Sequence, residues 1–249
     1  MKPFIKQSLI ILLLVLSLCY TACTININSL LNVDEREIVN KIQENKVLTS
    51  NVTVVAYNFM GKKVSQGSGV IYKSDGVYFY AITNNHVIYE GYHFNVMDAY
   101  GDMWETKVMA YDANYDLAVV RFKITTNNEY FIPEIVSEDP NVNDNIISIT
   151  NPLGVVNSVT FGIVQEYLSI EALDNDTMMT DEGSNVKFDV IKHNAPIDSG
   201  SSGGAIFNYE YKICGINFAS GRGKSGNFIS GYAIQPTKVI EFLTDNNLI

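Results

Sequence analysis

Asp198-Ser199-Gly200-Ser201-Ser202-Gly203-Gly204 precedes the apolar run Ala205-Ile206-Phe207. Glycines open backbone conformations closed to other residues, so a serine set among them, ahead of a buried-strand pattern, suits a tight loop. Such a loop presents a hydroxyl while its amides converge on one point. A serine hydroxyl is a poor nucleophile at its own pKa, so the loop gains chemical meaning only with a histidine base and an orienting carboxylate elsewhere.

The chain has three histidines, His86, His93 and His193. His86 stands where the strand-like run Ala81-Ile82-Thr83 turns polar in Asn84-Asn85, at the lip of a sheet, where a rigid scaffold hands a side chain to solvent. Asp116 directly precedes the apolar run Leu117-Ala118-Val119-Val120, which half buries its carboxylate, as the orienting member of a Ser-His-Asp set requires. Alone, His86 reads as a satisfied histidine at a strand end and Ser202 as part of a glycine-rich hairpin. Together, in the order His86, Asp116, Ser202, they make a nucleophilic constellation. His93 and His193 read as structural, and Asp112 as a turn residue.

At this point a resemblance becomes specific. Gly67-Ser68-Gly69-Val70-Ile71, Thr83-Asn84-Asn85-His86-Val87, Asp116-Leu117-Ala118-Val119, Asn151-Pro152-Leu153-Gly154, Val159 to Val164, Gly200 to Gly204 and Gly231-Tyr232-Ala233-Ile234 follow in the order found in the HtrA (Deg) trypsin-like serine proteases. The chain resembles that protease domain from about Val52 to its C-terminus, with no length left for a PDZ domain. The resemblance implies that Ser202 attacks, His86 carries the proton, Asp116 orients the imidazole, and the amides of Gly200 and Ser202 form an oxyanion hole. It also implies a substrate pocket with Pro196 and Ile197 as its floor and Asn217, Phe218 and Ala219 as its wall. No cofactor and no metal are implied; the partners are polypeptide substrates, and oligomers occur among relatives.

Two departures from the family's pattern stand out. Ser201 occupies the place where digestive trypsins carry the aspartate that pairs with a new N-terminus, so activation by that route is not expected. Asp198-Ser199 replaces an Asn-Pro common in relatives. Specificity is less legible: the pocket segment has no acid to attract Lys or Arg and points to a small or medium aliphatic residue. Arg222 and Lys224 keep open a glutamyl specificity of the V8-like kind, although those enzymes read Gly-Ser where this chain has Gly203-Gly204. A polypeptide-binding domain with an idle triad is a third reading, from a different functional class.

Composition narrows the setting. With 17 Lys+Arg against 27 Asp+Glu the chain is acidic, which argues against a nucleic-acid partner. Lys2 and Lys6, the apolar run Leu9 to Leu18 and small residues before Cys23 form a secretory signal, too short for a membrane span. Tyr20-Thr21-Ala22-Cys23 resembles a bacterial lipobox, with Tyr20 where an aliphatic residue is usual, so Cys23 is the candidate lipidation site and membrane anchor. A plain secretory peptide is the alternative. Processing at Cys23 leaves Cys214 as the other thiol, which rules out an internal disulfide framework.

The periodicity completes the plan. Residues 1–22 are signal and 24–50 a tether with a short helix, capped by Asp34 with Glu37 reaching back and ending near Lys46. Residues 51–137 carry six strand patterns: Val52 to Tyr57, Ser68 to Tyr72, Val77 to Ile82, His93 to Tyr100, Trp104 to Ala110 and Leu117 to Phe122. Residues 138–249 carry about six more: Ile146 to Ile149, Val155 to Gln165, Asp189 to His193, Ala205 to Asn208, Ile213 to Phe218 and Phe228 to Ile234. A helical face over Pro236 to Asn246 follows. The expected fold is all-β, two six-stranded antiparallel barrels of the chymotrypsin type with a short N-terminal and a C-terminal helix. The acidic stretch from Glu171 to Asp189 lacks an EF-hand order and reads as a solvated loop.

Overall fold

The computed structural model describes residues 33–169, 178–179 and 182–249. The signal segment, Cys23, most of the tether, and Glu171, Asp174, Asp176 and Asp181 of the acidic stretch lie outside the described residues. The chain divides into two compact units, the first ending at Gln43. Its helix α1 spans Val33–Glu44 and stops short of Lys46, whose φ of 57° is left-handed. Glu37, expected to reach back to the helix start, instead pairs with Lys41 one turn on, at 2.7 Å.

After a 3₁₀ turn at Val47–Ser50, the first barrel comprises β1 (Asn51–Tyr57), β2 (Lys63–Ser74), β3 (Phe79–Thr83), β4 (His93–Met97), β5 (Met103–Asp112) and β6 (Leu117–Phe122). The strands close in the order β1-β2-β3-β6-β5-β4, β4 returning to β1 from Thr53↔Met97 to Tyr57↔His93. Alternate side chains turn inward, and Val52, Val54, Ile71, Val96, Val120 and Phe122 fill the interior. Strand β2 begins five residues before its apolar run, because Ser65 and Gln66 pair with Ala56 and Val55 along a polar half of the hairpin. One element has no strand pattern: the single-turn helix α2 (Asn85–Ile88), which carries His86.

The second barrel comprises β7 (Asn145–Thr150), β8 (Ser158–Ser169), β10 (Asp189–His193), β11 (Ala205–Phe207), β12 (Ile213–Arg222) and β13 (Phe228–Ile234), joined in the order β11-β7-β8-β10-β13-β12 and closed by β11–β12 pairing. A two-residue strand β9 (Met178–Met179) adds to β12 at Ser220 and Gly221. Strand β8 starts three residues later than expected: Val155 donates to the Pro152 carbonyl at 2.8 Å and Asn157 takes φ 60°, so Val155 to Asn157 turn rather than extend. Strand β12 runs four residues further than expected, since Ala219 to Arg222 pair with β13.

Helix α3 (Pro236–Asp245) opens with proline, whose missing N–H costs nothing at a helix start. Its face of Val239, Phe242 and Leu243 is buried. It also reaches the first barrel: Tyr115 donates to Glu241 at 2.7 Å and its ring lies 5.8 Å from that of Phe242, while the Leu248 carbonyl accepts from Lys73 at 3.0 Å. Between the barrels, Tyr130 donates to the buried carboxylate of Asp98 at 2.5 Å, and Val136 bonds the Ile213 carbonyl. Cys214 is a free, buried thiol whose pKa burial pushes up to about 12.

His193, fully buried on β10, lies against Gly231 of β13, where a Cβ would come within 2.2 Å of its ring. Burial lowers its pKa to about 4, and the bond to Asn217 opposes the shift only in part. The unfolded histidine titrates near about 6.5, so on acidification the unfolded chain takes the proton first. This contribution is therefore whole above pH 6.5 and is lost as pH falls toward 4. Urea denaturation from pH 7 to pH 4 is expected to show a steeper loss of stability for the natural chain than for His193→Gln; equal slopes would refute the assignment.

Candidate functional site

The turn between β5 and β6 delivers Asp116. Asp112 accepts from the Asn114 amide at 2.7 Å, the Asp116 amide returns to the Ala113 carbonyl, and Asp116 itself sits at φ 50°. Left-handed backbone in a non-glycine residue is strained and is held here by its surroundings. Asn84 donates to the Asp116 carbonyl at 2.8 Å. The carboxylate is fully buried, and a buried charge must be paired. Its Oδ1 accepts from the His86 amide, an orphan donor in the first turn of α2, at 3.0 Å, and its Oδ2 meets His86 Nδ1 at 2.7 Å. Backbone and ring of His86 are thus fixed by one carboxylate.

The glycine-rich loop around Ser202, in the second barrel, is held at nearly every peptide. The Ser68 amide donates to the Ser202 carbonyl at 2.7 Å, Gly203 to the Asn217 carbonyl, Ser201 to the Asp198 carbonyl, and Gly204 to the Ser201 carbonyl. The Ser201 hydroxyl, buried, accepts from the Asp198 amide at 3.1 Å and donates to Thr150 at 3.2 Å. Serine at this position therefore ties the loop down locally. Leu153 donates to the Ser199 carbonyl at 2.7 Å. In a trans peptide the carbonyl and the following N–H point in opposite directions, so this bond turns the Gly200 amide away from Leu153. Gly200 follows with φ 92°, a value that excludes most side chains. Among the described residues, neither the Gly200 nor the Ser202 amide has a backbone partner.

His86, Gly200 and Ser202 line one cleft of about 450 Å³, together with Gln66, Glu90 and Glu182. On the other side of Ser202 a pocket of about 60 Å³ is lined by Ile197, Asp198, Phe218, Ala219, Ser220 and Arg222. Of the five residues expected to form the substrate pocket, Ile197, Phe218 and Ala219 meet there. The other two do not. Asn217 is fully buried, with its side chain bonded to His193 at 2.9 Å, Ser148 at 3.1 Å and the Gly204 carbonyl at 3.1 Å. Pro196 points its carbonyl to Thr160 instead of lining the pocket. Among the described residues no three His, Cys, Asp or Glu side chains gather as a metal site.

Sequence reasoning missed the residues that join the halves of the site. The buried Ser68 hydroxyl donates to the Gly200 carbonyl at 2.7 Å and accepts from the Asn151 amide at 2.8 Å. Asn151, also buried, donates through Nδ2 to Thr53 at 2.9 Å and accepts from Asn51 at 2.7 Å. Thr83 holds the Ser68 carbonyl. Gly67 must be glycine for proximity: a Cβ there would stand 2.5 Å from Val87 and 2.9 Å from the Ser202 carbonyl. The signal was present, since the runs Gly67 to Gly69 and Asn151 to Gly154 carried the resemblance, but nothing in them announced a contact with each other.

Comparison with known proteins gives the family and the fold. The trypsin-like peptidase domain family matches residues 67–216. A probable Do-like serine protease of Buchnera aphidicola from Acyrthosiphon pisum is 34% identical over 182 residues, covering 72% of this chain and 34% of that protein. A probable periplasmic DegP-like serine endoprotease of Rhizobium meliloti is 30% identical over 183 residues, covering 73% of this chain and 33% of its own. The chain thus spans about a third of the length of these curated relatives. Among solved structures, the active form of a Mycobacterium tuberculosis protease aligns with a TM-score of 0.64 at 19% identity, over 80% of this chain and 81% of the other. The serine endoprotease of Yersinia pestis aligns at 0.61 with 25% identity, over 81% and 66%.

Removing the Ser68 hydroxyl leaves the Gly200 carbonyl and the Asn151 amide without their shared partner. An unpaired buried polar group costs about 1–3 kcal/mol. Ser68→Ala is therefore expected to lower the unfolding free energy measured by urea titration by that order, and an unchanged value would show that the seam does not depend on this bridge.

Proposed function

The chain belongs to the trypsin-like peptidase family, and from that premise we propose that it is an HtrA-like serine endopeptidase cleaving polypeptides through an acyl-enzyme. The observation that carries this reading is the 2.7 Å bond between His86 Nδ1 and Asp116 Oδ2, with His86 and Ser202 facing one cleft. Asp116 holds the imidazole with its proton on Nδ1, so Nε2 serves as the base. Ser202 Oγ attacks the scissile carbonyl carbon while its proton passes to Nε2. The carbonyl oxygen becomes an oxyanion bound by the amides of Gly200 and Ser202, whose peptide planes are held by the Leu153 bond to the Ser199 carbonyl and the Gly204 bond to the Ser201 carbonyl. Losing one such donor costs about 100- to 1,000-fold in rate.

Collapse of the tetrahedral species breaks the C–N bond, and His86 returns the proton to the departing amine. Water then attacks the ester with His86 again as base, releasing the carboxylic acid and restoring the Ser202 hydroxyl. No cofactor enters these steps. Relatives carry names placing them in the periplasm; together with the Lys2, Lys6, Leu9–Leu18 and Cys23 pattern this supports action outside the cytoplasm, with Cys23 as a lipid anchor. Labelling of cells with an alkynyl fatty acid is expected to mark the natural chain and not Cys23→Ala.

The deciding experiment is intact mass after treating the full chain with a fluorophosphonate. A single adduct on Ser202 is expected, absent in Ser202→Ala. Asp116→Asn, which keeps the shape and reverses the preferred tautomer, is expected to lower peptide hydrolysis by about 10,000-fold. A well-folded chain that takes no adduct would replace the enzyme by a polypeptide-binding domain.

A further inference from the structure

The small pocket beside Ser202 is lined by an ion pair that the mechanism leaves unused. Arg222, the last residue of β12, places Nη2 2.5 Å from Asp198 Oδ1 and Nη1 3.1 Å from the Gly226 carbonyl. Asp198 belongs to the nucleophile loop, four residues before Ser202, and the same Oδ1 accepts from the Ser199 amide at 2.7 Å. Both side chains line the pocket, opposite the apolar surface of Ile197, Phe218 and Ala219. Arg222 keeps 24% and Asp198 40% of its side-chain exposure, so the pair is partly buried. The pocket thus holds a guanidinium and a carboxylate that cancel, beside walls that offer no other charge.

We propose that Asp198 and Arg222 together set selectivity for the residue on the acyl side of the scissile bond, the neutralised pair restricting it to uncharged side chains. This rests on the reading of Ser202 as nucleophile. An acidic substrate side chain can gain the guanidinium only by displacing Asp198. A basic one can gain the carboxylate only by displacing Arg222, and meets like charge as it enters. An uncharged side chain breaks nothing. The balance resides in one pair, so removing either member converts the pocket to the charge of the member that remains, because charge-assisted bonds are the stronger ones.

The test uses the full chain and three fluorogenic peptides identical except for Ala, Glu or Lys at that position. The natural chain is expected to favour Ala over both. Asp198→Asn keeps an acceptor for the Ser199 amide while freeing the guanidinium, and is expected to raise the Glu-to-Ala ratio of kcat/KM at least tenfold. Arg222→Gln is expected to raise the Lys-to-Ala ratio in the same way, and the double variant to return both ratios to near those of the natural chain. Each ratio is internal to one protein, so a loss of overall activity does not affect it. A natural chain that favours Glu or Lys, or single variants whose ratios stay within threefold of the natural chain, overturn the proposal alone if Ser202 takes the fluorophosphonate. Absence of that adduct overturns the nucleophile reading and this proposal with it.

Discussion

Two barrels meeting along a seam must bring polar loops together out of water, and the Ser68 hydroxyl is where that constraint is met. It serves two segments of the second barrel at once, giving its proton to Gly200 and taking one from Asn151. The Ser68 amide holds Ser202 as well. A strand of the first barrel thereby acts as a template for the Ser202 loop of the second. Low dielectric strengthens each of these bonds and raises the penalty for breaking one, so the seam acts as a unit.

The opposite side of the cleft solves a different problem. A carboxylate with no exposure must be compensated, and Asp116 is compensated by a backbone amide and an imidazole belonging to one residue. Because α2 is a single turn, its orphan amide lies next to the ring it must help to aim. The strained φ of Asp116 is maintained by Asn84, which sits just before that turn. Strain, charge and orientation are thus settled within a few residues on each of two segments, and the cleft needs no further scaffold to keep them aligned.

Much of this was legible in sequence because strands in half-buried barrels alternate and because turn residues such as Gly101-Asp102 punctuate them. Placement failed where hydrophobicity and conformation part company. Val155 and Val156 look like the start of a strand yet are exposed, since Asn157 takes a left-handed turn. Ser65 and Gln66 look like a loop yet pair with β1, since an exposed hairpin asks little of side chains. Asn217 resembled a pocket wall by position; its burial with His193 is a tertiary matter, set by the absence of a Cβ at Gly231 on the facing strand. The site's three principal residues were readable as types in context, while Ser68 and Asn151 were not, because a hydroxyl and an amide bridging 83 positions leave no local pattern.

The clasp of α3 on the first barrel links the geometry to the direction of protein synthesis. Tyr115, the neighbour of Asp116, is anchored by Glu241 and Phe242, and Leu248 reaches back to Lys73 on β2. A ribosome delivers the histidine–aspartate half first, the seryl loop later and the clasp after both. The cleft therefore cannot be seated until both barrels and the clasp have been made.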